Sequence, residues 1–323
     1  MRPVPRNRLA SAATLSALTL GLSVMAHAAA PPESNSAASI RYESPVLHVE
    51  VTGKGPAMIL IPGLTCPADV WRETVARFSG RYQCHAVTLG GFGGKPRFEG
   101  PFLDSARDSL IAYVRARHLR RPVIVGHSLG GVLALEMAAA APDAIGPLVI
   151  IDALPFLGGA GDTTATAESA RQAMEPMWKR MRSQTQEAYA AYQRQAPYLK
   201  SMVAPGKGYE RVVEWATASD GIAVADAMYD LSSRDLRARL QDVRSPLLVL
   251  GSWYGMRAFT TREAVEATFR RQYAQAPQWT LAVADTARHF IMLDSPDWMY
   301  AQMDAFLGGG AAGAVKAASA SAR

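Results

Sequence analysis

Pro122-Val123-Ile124-Val125-Gly126-His127-Ser128-Leu129-Gly130-Gly131 is the stretch that decides the fold class. A short apolar run leads into Gly-x-Ser-x-Gly, and an Ala/Leu-rich helical segment follows at 129–140. A strand that turns this sharply into a helix strains the central residue and crowds its neighbours, so both flanks must be small. Gly126 and Gly130 meet that need. Such a turn lifts Ser128 above the sheet edge. It also aims the helix N-terminus at the hydroxyl, where backbone N–H groups face a developing negative charge. A plain glycine-rich turn with a capping serine is the alternative.

On both sides of this turn, apolar runs alternate with amphipathic segments. Strands are expected at 46–51, 57–61, 82–88, 122–125, 148–151, 247–250 and 280–283. Helices are expected at 68–78, 103–118, 129–140, 262–273 and 298–307. Short buried-type strands alternating with helices imply a mostly parallel sheet covered on both faces. Residues 155–240 break the rhythm with helical patterns and no convincing strand. An all-helical insert at the C-terminal end of parallel strands reads as a cap over a pocket. Within it, Met174, Met177, Trp178 and Met181 share one helical face. That stripe, with Trp215, either lines the pocket or packs within the cap.

The first 28 residues read as an address. Arg2, Arg6 and Arg8 precede an apolar run, and Ala26-His27-Ala28 forms an A-x-A cleavage pattern. The run's Ser, Thr and Gly make it a poor membrane span. The expected layout is a signal peptide (1–28), a linker (29–38), one domain (39–307) and a low-complexity disordered tail (308–323). Export to the periplasm or the medium follows.

The composition is globular. Of the 323 residues, 49% are hydrophobic and 19% charged, which excludes a disordered chain. The net charge of +6 is weakly clustered, and leader removal would take away half of it. Nucleic-acid binding is therefore not expected. The histidines are too scattered for a zinc site, two cysteines build no metal centre, and no dinucleotide fingerprint is present. No cofactor or metal is expected. Gly90-Gly91-Phe92-Gly93-Gly94-Lys95 falls one residue short of a Walker A loop, with Pro96 where Ser or Thr is needed.

The Gly126–Gly130 turn in its strand–helix setting resembles the nucleophile elbow of the α/β-hydrolase superfamily. The likeness extends from about Ser39 to Leu307. It implies an eight-stranded, mostly parallel sheet with a helical cap, and a triad in the order nucleophile, acid, histidine. It also implies an oxyanion loop after the third strand. Here that loop is Pro62-Gly63-Leu64-Thr65-Cys66-Pro67, where many relatives carry His-Gly. The backbone N–H groups of Leu64 and Leu129 would hold the oxyanion, and Pro62 need not disturb either. The Gly90–Gly94 run resembles the turn after the superfamily's fourth strand.

A serine hydroxyl needs a base. His27 leaves with the leader, His48 and His85 fall within strands, and His118 ends a helix on the wrong side of the sheet. His127 adjoins Ser128 but diverges from it across the turn. His289 remains, just after the last strand, where the superfamily places its base.

The acid is less plain. In most relatives it follows the seventh strand, but here that loop reads Gly251-Ser252-Trp253-Tyr254-Gly255, with Tyr254 at the expected position and no acid before Glu263. Asp152, ending the sixth strand beside the nucleophile's strand, is the expected substitute. Asp285, four residues before His289, is the other option.

Serine rather than aspartate at the elbow points to acyl transfer to water. The expectation is an exported carboxylic ester hydrolase using Ser128, His289 and Asp152 through an acyl-enzyme, on a small hydrophobic ester. Rivals are C–C hydrolysis or peroxidase-like chemistry on the same triad, and a non-catalytic binding protein. Cys66 lies past the end of its strand and Cys84 near the start of its own. Parallel pairing then separates them by roughly 15 Å at about 3.3 Å per residue. A disulfide needs Cα atoms within about 7 Å, so two free thiols are expected.

Overall fold

A computed structural model describes residues 40–309. The leader and linker lie outside the described residues, as does the tail beyond Gly309. Gly308 itself closes the last helix rather than opening the tail.

Eight strands form one sheet in the order β1-β2-β4-β3-β5-β6-β7-β8. They are β1 (Ile40–Glu43), β2 (Leu47–Thr52), β3 (Ala57–Ile61), β4 (Gln83–Leu89), β5 (Val123–His127), β6 (Leu148–Ile151), β7 (Leu247–Ser252) and β8 (Trp279–Ala284). Strand β2 is antiparallel to β1 and β4, and all other pairs are parallel. Strand β1 has no counterpart in the sequence expectations. Exposed Arg41 and Glu43 flank a half-buried Tyr42, an alternation that suits an edge strand with one solvated face.

Helices α1 (Arg72–Phe78), α2 (Phe102–Ala116) and α3 (Leu129–Ala140) follow β3, β4 and β5. Between β6 and β7 come α4 (Ala167–Arg182), α5 (Gln186–Gln195), α6 (Leu199–Met202), α7 (Lys207–Ala218) and α8 (Gly221–Ser233), with no strand among them. Helix α9 (Arg262–Gln272) links β7 to β8, and α10 (Ile291–Asp294) and α11 (Pro296–Gly308) end the described chain.

Strand residues alternate between two cores, as a period of two requires. Ile59, Ile61, Val87, Ile124, Ile150 and Val249 face α2 and α3. Met58, Leu60, Ala86, Val125, Val149 and Leu250 face α11 and the neighbouring α1 residue Phe78. Helix α3 is buried continuously from Leu129 to Ala138, because sheet, α2 and the insert surround it.

The Met/Trp stripe of α4 does not line the cavity described below. Helix α4 lies on α8 instead. Trp178 stacks on Tyr229 at 5.1 Å and donates its Nε1–H to Asp226 at 2.8 Å. Met181 packs against the core and Met177 is exposed. Trp215 is buried beneath Arg211. The stripe thus joins two insert helices to each other.

Cys66 and Cys84 are both free and buried. The register pairs Cys84 with Met58, at the far end of β3 from Cys66. Burial pushes the Cys66 thiol up to about 12 and the Cys84 thiol up to about 11.

Candidate active site

Parallel register brings the candidate residues to one edge. His127 of β5 aligns with Ile151 of β6, and Ile151 with Leu250 of β7. One residue further along, Ser128, Asp152 and Gly251 stand side by side. Two backbone bonds extend the ladder past the strands: Ser128 N–H donates to Ile151 O at 2.9 Å, and Asp152 N–H to Leu250 O at 2.7 Å.

Both donor residues, just past the ends of β5 and β6, are strained. Ser128 has φ 53° and Asp152 φ 47°, left-handed values that a side chain adopts at a cost of about 1–3 kcal/mol. At Ser128 the turn closes only because its flanks lack side chains. A Cβ on Gly126 would lie 2.3 Å from Gly130 O, and one on Gly130 would lie 2.2 Å from Ile61 O. Beyond Ser128, α3 begins at once, with Ser128 at its N-cap position.

The Asp152 carboxylate is fully engaged. Its Oδ2 lies 2.7 Å from His289 Nδ1 and accepts the Ser252 hydroxyl at 2.8 Å. Its Oδ1 accepts the Ser252 N–H at 2.7 Å. Since the carboxylate only accepts, Nδ1 of His289 carries the proton and Nε2 is left as the basic nitrogen. Asp285, by contrast, is 83% exposed and pairs with Arg262. Tyr254 sits in a 3₁₀ turn beneath Arg257, 4.1 Å from its ring centroid. Among the described residues, neither forms a hydrogen bond or ion pair with His289.

The sequence expectations end β7 at Leu250 and leave Ser252 in the following loop with no role. The strand runs two residues further, and that extension carries the serine.

His289 is held from three sides. His127, buried beside it, donates Nε2–H to the His289 carbonyl at 3.0 Å, with ring centroids 4.6 Å apart. On the chain, Phe290 N–H donates to Met202 O, and the Arg288 guanidinium donates to Val203 O at 2.7 Å. Asp294 accepts the N–H groups of Arg288 and Ala204. Burial, then the nearby His289, push the His127 pKa well below the ordinary histidine range, so it stays neutral. Although it adjoins Ser128 in the chain, His127 buttresses the backbone of His289. The remaining histidines among the described residues lie elsewhere: His48 in β2, His85 in β4 against the Tyr113 hydroxyl, and His118 just past α2.

Leu64 follows Gly63 at the end of β3, and Thr65 turns the loop with φ 68°. The N–H groups of Leu64 and Leu129 donate to no protein acceptor among the described residues. The loop is clasped by the insert. The buried Ser219 hydroxyl, just before α8, lies 3.1 Å from Thr65 O and 2.9 Å from Trp215 O, and it accepts the Gly93 N–H at 3.0 Å. Asp220 N–H donates to Gly91 O at 2.8 Å. The Gly90–Gly94 run is therefore a docking loop for the insert.

Ser128, Asp152, Ser252 and His289 all border one cavity of about 570 Å³. Val132, Leu231, Val265 and Phe269 form much of its wall. No hydrogen bond joins the Ser128 and His289 side chains among the described residues. Clusters of potential metal ligands are likewise absent among them.

The chain belongs to the α/β-hydrolase family: the model described as "Alpha/beta hydrolase family" matches residues 58–302. Among curated relatives, a pimeloyl-[acyl-carrier protein] methyl ester esterase of Aliivibrio salmonicida is 24% identical over 275 residues. That match spans 81% of this chain and 95% of the relative. An N-formylmaleamate deformylase of Pseudomonas putida is 26% identical over 272 residues, covering 80% and 91%. A solved hydrolase structure from Pseudomonas aeruginosa shares the fold with a TM-score of 0.67 at 18% identity. It covers 85% of this chain and all of its own.

Proposed function

We propose that this protein is an exported serine hydrolase acting on carboxylic esters. The observation that carries the proposal is the 2.7 Å contact between His289 Nδ1 and Asp152 Oδ2, at the wall of the cavity that Ser128 also borders. The esterase and deformylase names of relatives support hydrolysis at a carbonyl. Export rests on residues 1–28 alone.

In this mechanism Ser128 Oγ attacks the ester carbonyl as His289 Nε2 takes its proton. Asp152 holds the tautomer that leaves Nε2 basic and stabilises the imidazolium that forms. The free N–H groups of Leu64 and Leu129 receive the oxyanion, each contributing about 10²–10³ in rate. Protonated His289 then returns the proton to the leaving alcohol. Water, deprotonated by the same nitrogen, attacks the acyl-enzyme, and the proton passes from His289 to the departing Ser128 Oγ as the acid is released. The Ser128–His289 hydrogen bond closes on substrate docking, as such bonds commonly do.

The test is hydrolysis of p-nitrophenyl esters of graded acyl length by the parent, Ser128→Ala and His289→Ala. The parent should turn over, and both variants should fall to background. Equal rates in the parent and Ser128→Ala would reject the proposal.

A further inference from the structure

Outside the catalytic groups, the cavity wall carries no charge. Among the described residues that line it, the only ionisable side chains are Asp152 and His289. Asp152 already accepts three hydrogen bonds, so the wall offers no free cation and one committed anion. Leu231, Val265 and Phe269 reach it from the insert and α9, and Thr260 and Thr268 add only hydroxyls. Among the arginines on adjoining segments, Arg271 of α9 does not line the cavity but donates to the hydroxyl of Thr268 at 3.3 Å, and three others are engaged elsewhere. Arg257 covers Tyr254, Arg262 pairs with Asp285 and Glu266, and Arg288 caps Val203 O.

The apolar character continues outward. Leu157, Met256 and Phe259 border the cavity and are 40%, 51% and 84% exposed. Large side chains left this open at a cavity mouth offer apolar contact to whatever enters.

We infer that the site selects esters whose seated portion is an uncharged apolar chain and rejects chains ending in a carboxylate. This rests on the hydrolase proposal above and specifies its substrate class. A carboxylate drawn into this cavity would lose its water and find no partner. It would also meet the field of Asp152 in a medium that screens poorly.

The experiment pairs substrates of equal length and opposite end-group charge. Mono-p-nitrophenyl suberate is compared with its ω-methyl ester for the acyl side. For the alcohol side, 4-acetoxybenzoate is compared with its methyl ester. In at least one pair the neutral member should have a kcat/KM at least about tenfold higher, the least that an unpaired buried charge should cost. Thr268→Arg, placing a cation at the α9 wall, should narrow that gap at least about fivefold. Carboxylates turned over within about threefold of their neutral partners in both pairs would overturn the inference. Calorimetric binding of the suberate pair to Ser128→Ala decides it independently of turnover. Preferred binding of the neutral diester is expected, and equal or absent binding counts against it. If no ester is hydrolysed while that binding preference holds, the hydrolase proposal fails and the pocket assignment survives.

Discussion

Ser252 grips both carboxylate oxygens of Asp152, with its N–H on Oδ1 at 2.7 Å and its hydroxyl on Oδ2 at 2.8 Å. Asp152 comes from the end of β6 and its clamp from the end of β7, so the strand that lacks a carboxylate still serves the proposed triad. Asp152→Asn should lower ester hydrolysis at least roughly a hundredfold, because the amide no longer holds His289 in the productive tautomer. Ser252→Ala removes one bond and keeps the N–H, so a loss of about three- to tenfold is expected. Steady-state rates on a p-nitrophenyl ester check both, and activity of Asp152→Asn within about threefold of the parent would sink the assignment.

Ser219 ties the insert to the loop that presents Leu64. Ser219→Ala leaves the Gly93 N–H without its acceptor and frees Thr65 O. A loss of about 1–3 kcal/mol in stability is expected. If the Leu64 N–H receives the oxyanion as proposed, it acts on the transition state and kcat should fall more than KM rises. Urea melts and a full kinetic profile separate the two effects.

Much of this architecture could be read from the chain, and the exceptions have physical causes. Gly126-His127-Ser128-Leu129-Gly130 was legible because few other arrangements need small residues on both sides of a serine between strand and helix. The nearness of Asp152 to His289 was legible because Asp152 is the first carboxylate after β6 and the β7 loop has none. Ser252 was not, since a serine after an apolar run looks like a strand stop, and only pairing with β8 shows the strand continuing. Strand β1 was too short, and its alternation too polar, to stand out from the stretch before it. The α4 stripe showed correctly which residues share a face, but a helical period cannot tell a pocket from a neighbouring helix. His127 looked idle because its partner is the backbone carbonyl of a residue far along the chain.

Stability should fall in mild acid through buried histidines. Burial first, and then the Arg117 guanidinium, push His85 down to about 4. The unfolded chain binds a proton near the ordinary value of 6.5, so between that pH and about 4 it takes up more protons than the folded protein. The folded state therefore loses stability as pH falls through this window, by up to about 3 kcal/mol from this residue. His127 acts in the same direction. Urea unfolding of the parent and His85→Gln at pH 7 and pH 4 should give a shallower acid loss for the variant, and parallel losses would contradict it.

The two thiols should be silent in the folded protein. Both are buried and held up at about 12 and about 11, so almost no thiolate exists near neutral pH. A disulfide-exchange reagent should titrate neither under native conditions and both in denaturant. A native Cys66–Cys84 bridge by mass spectrometry would contradict the strand register.

Covalent labelling by a fluorophosphonate tests the central claim most directly, because the reagent reacts with a serine only where a base and an oxyanion site are already assembled. Intact-mass analysis should show a single adduct, peptide mapping should place it on Ser128, and Ser128→Ala and His289→Ala should remain unlabelled. A folded parent protein that takes no label, or takes it with Ser128 unmodified, would contradict the account.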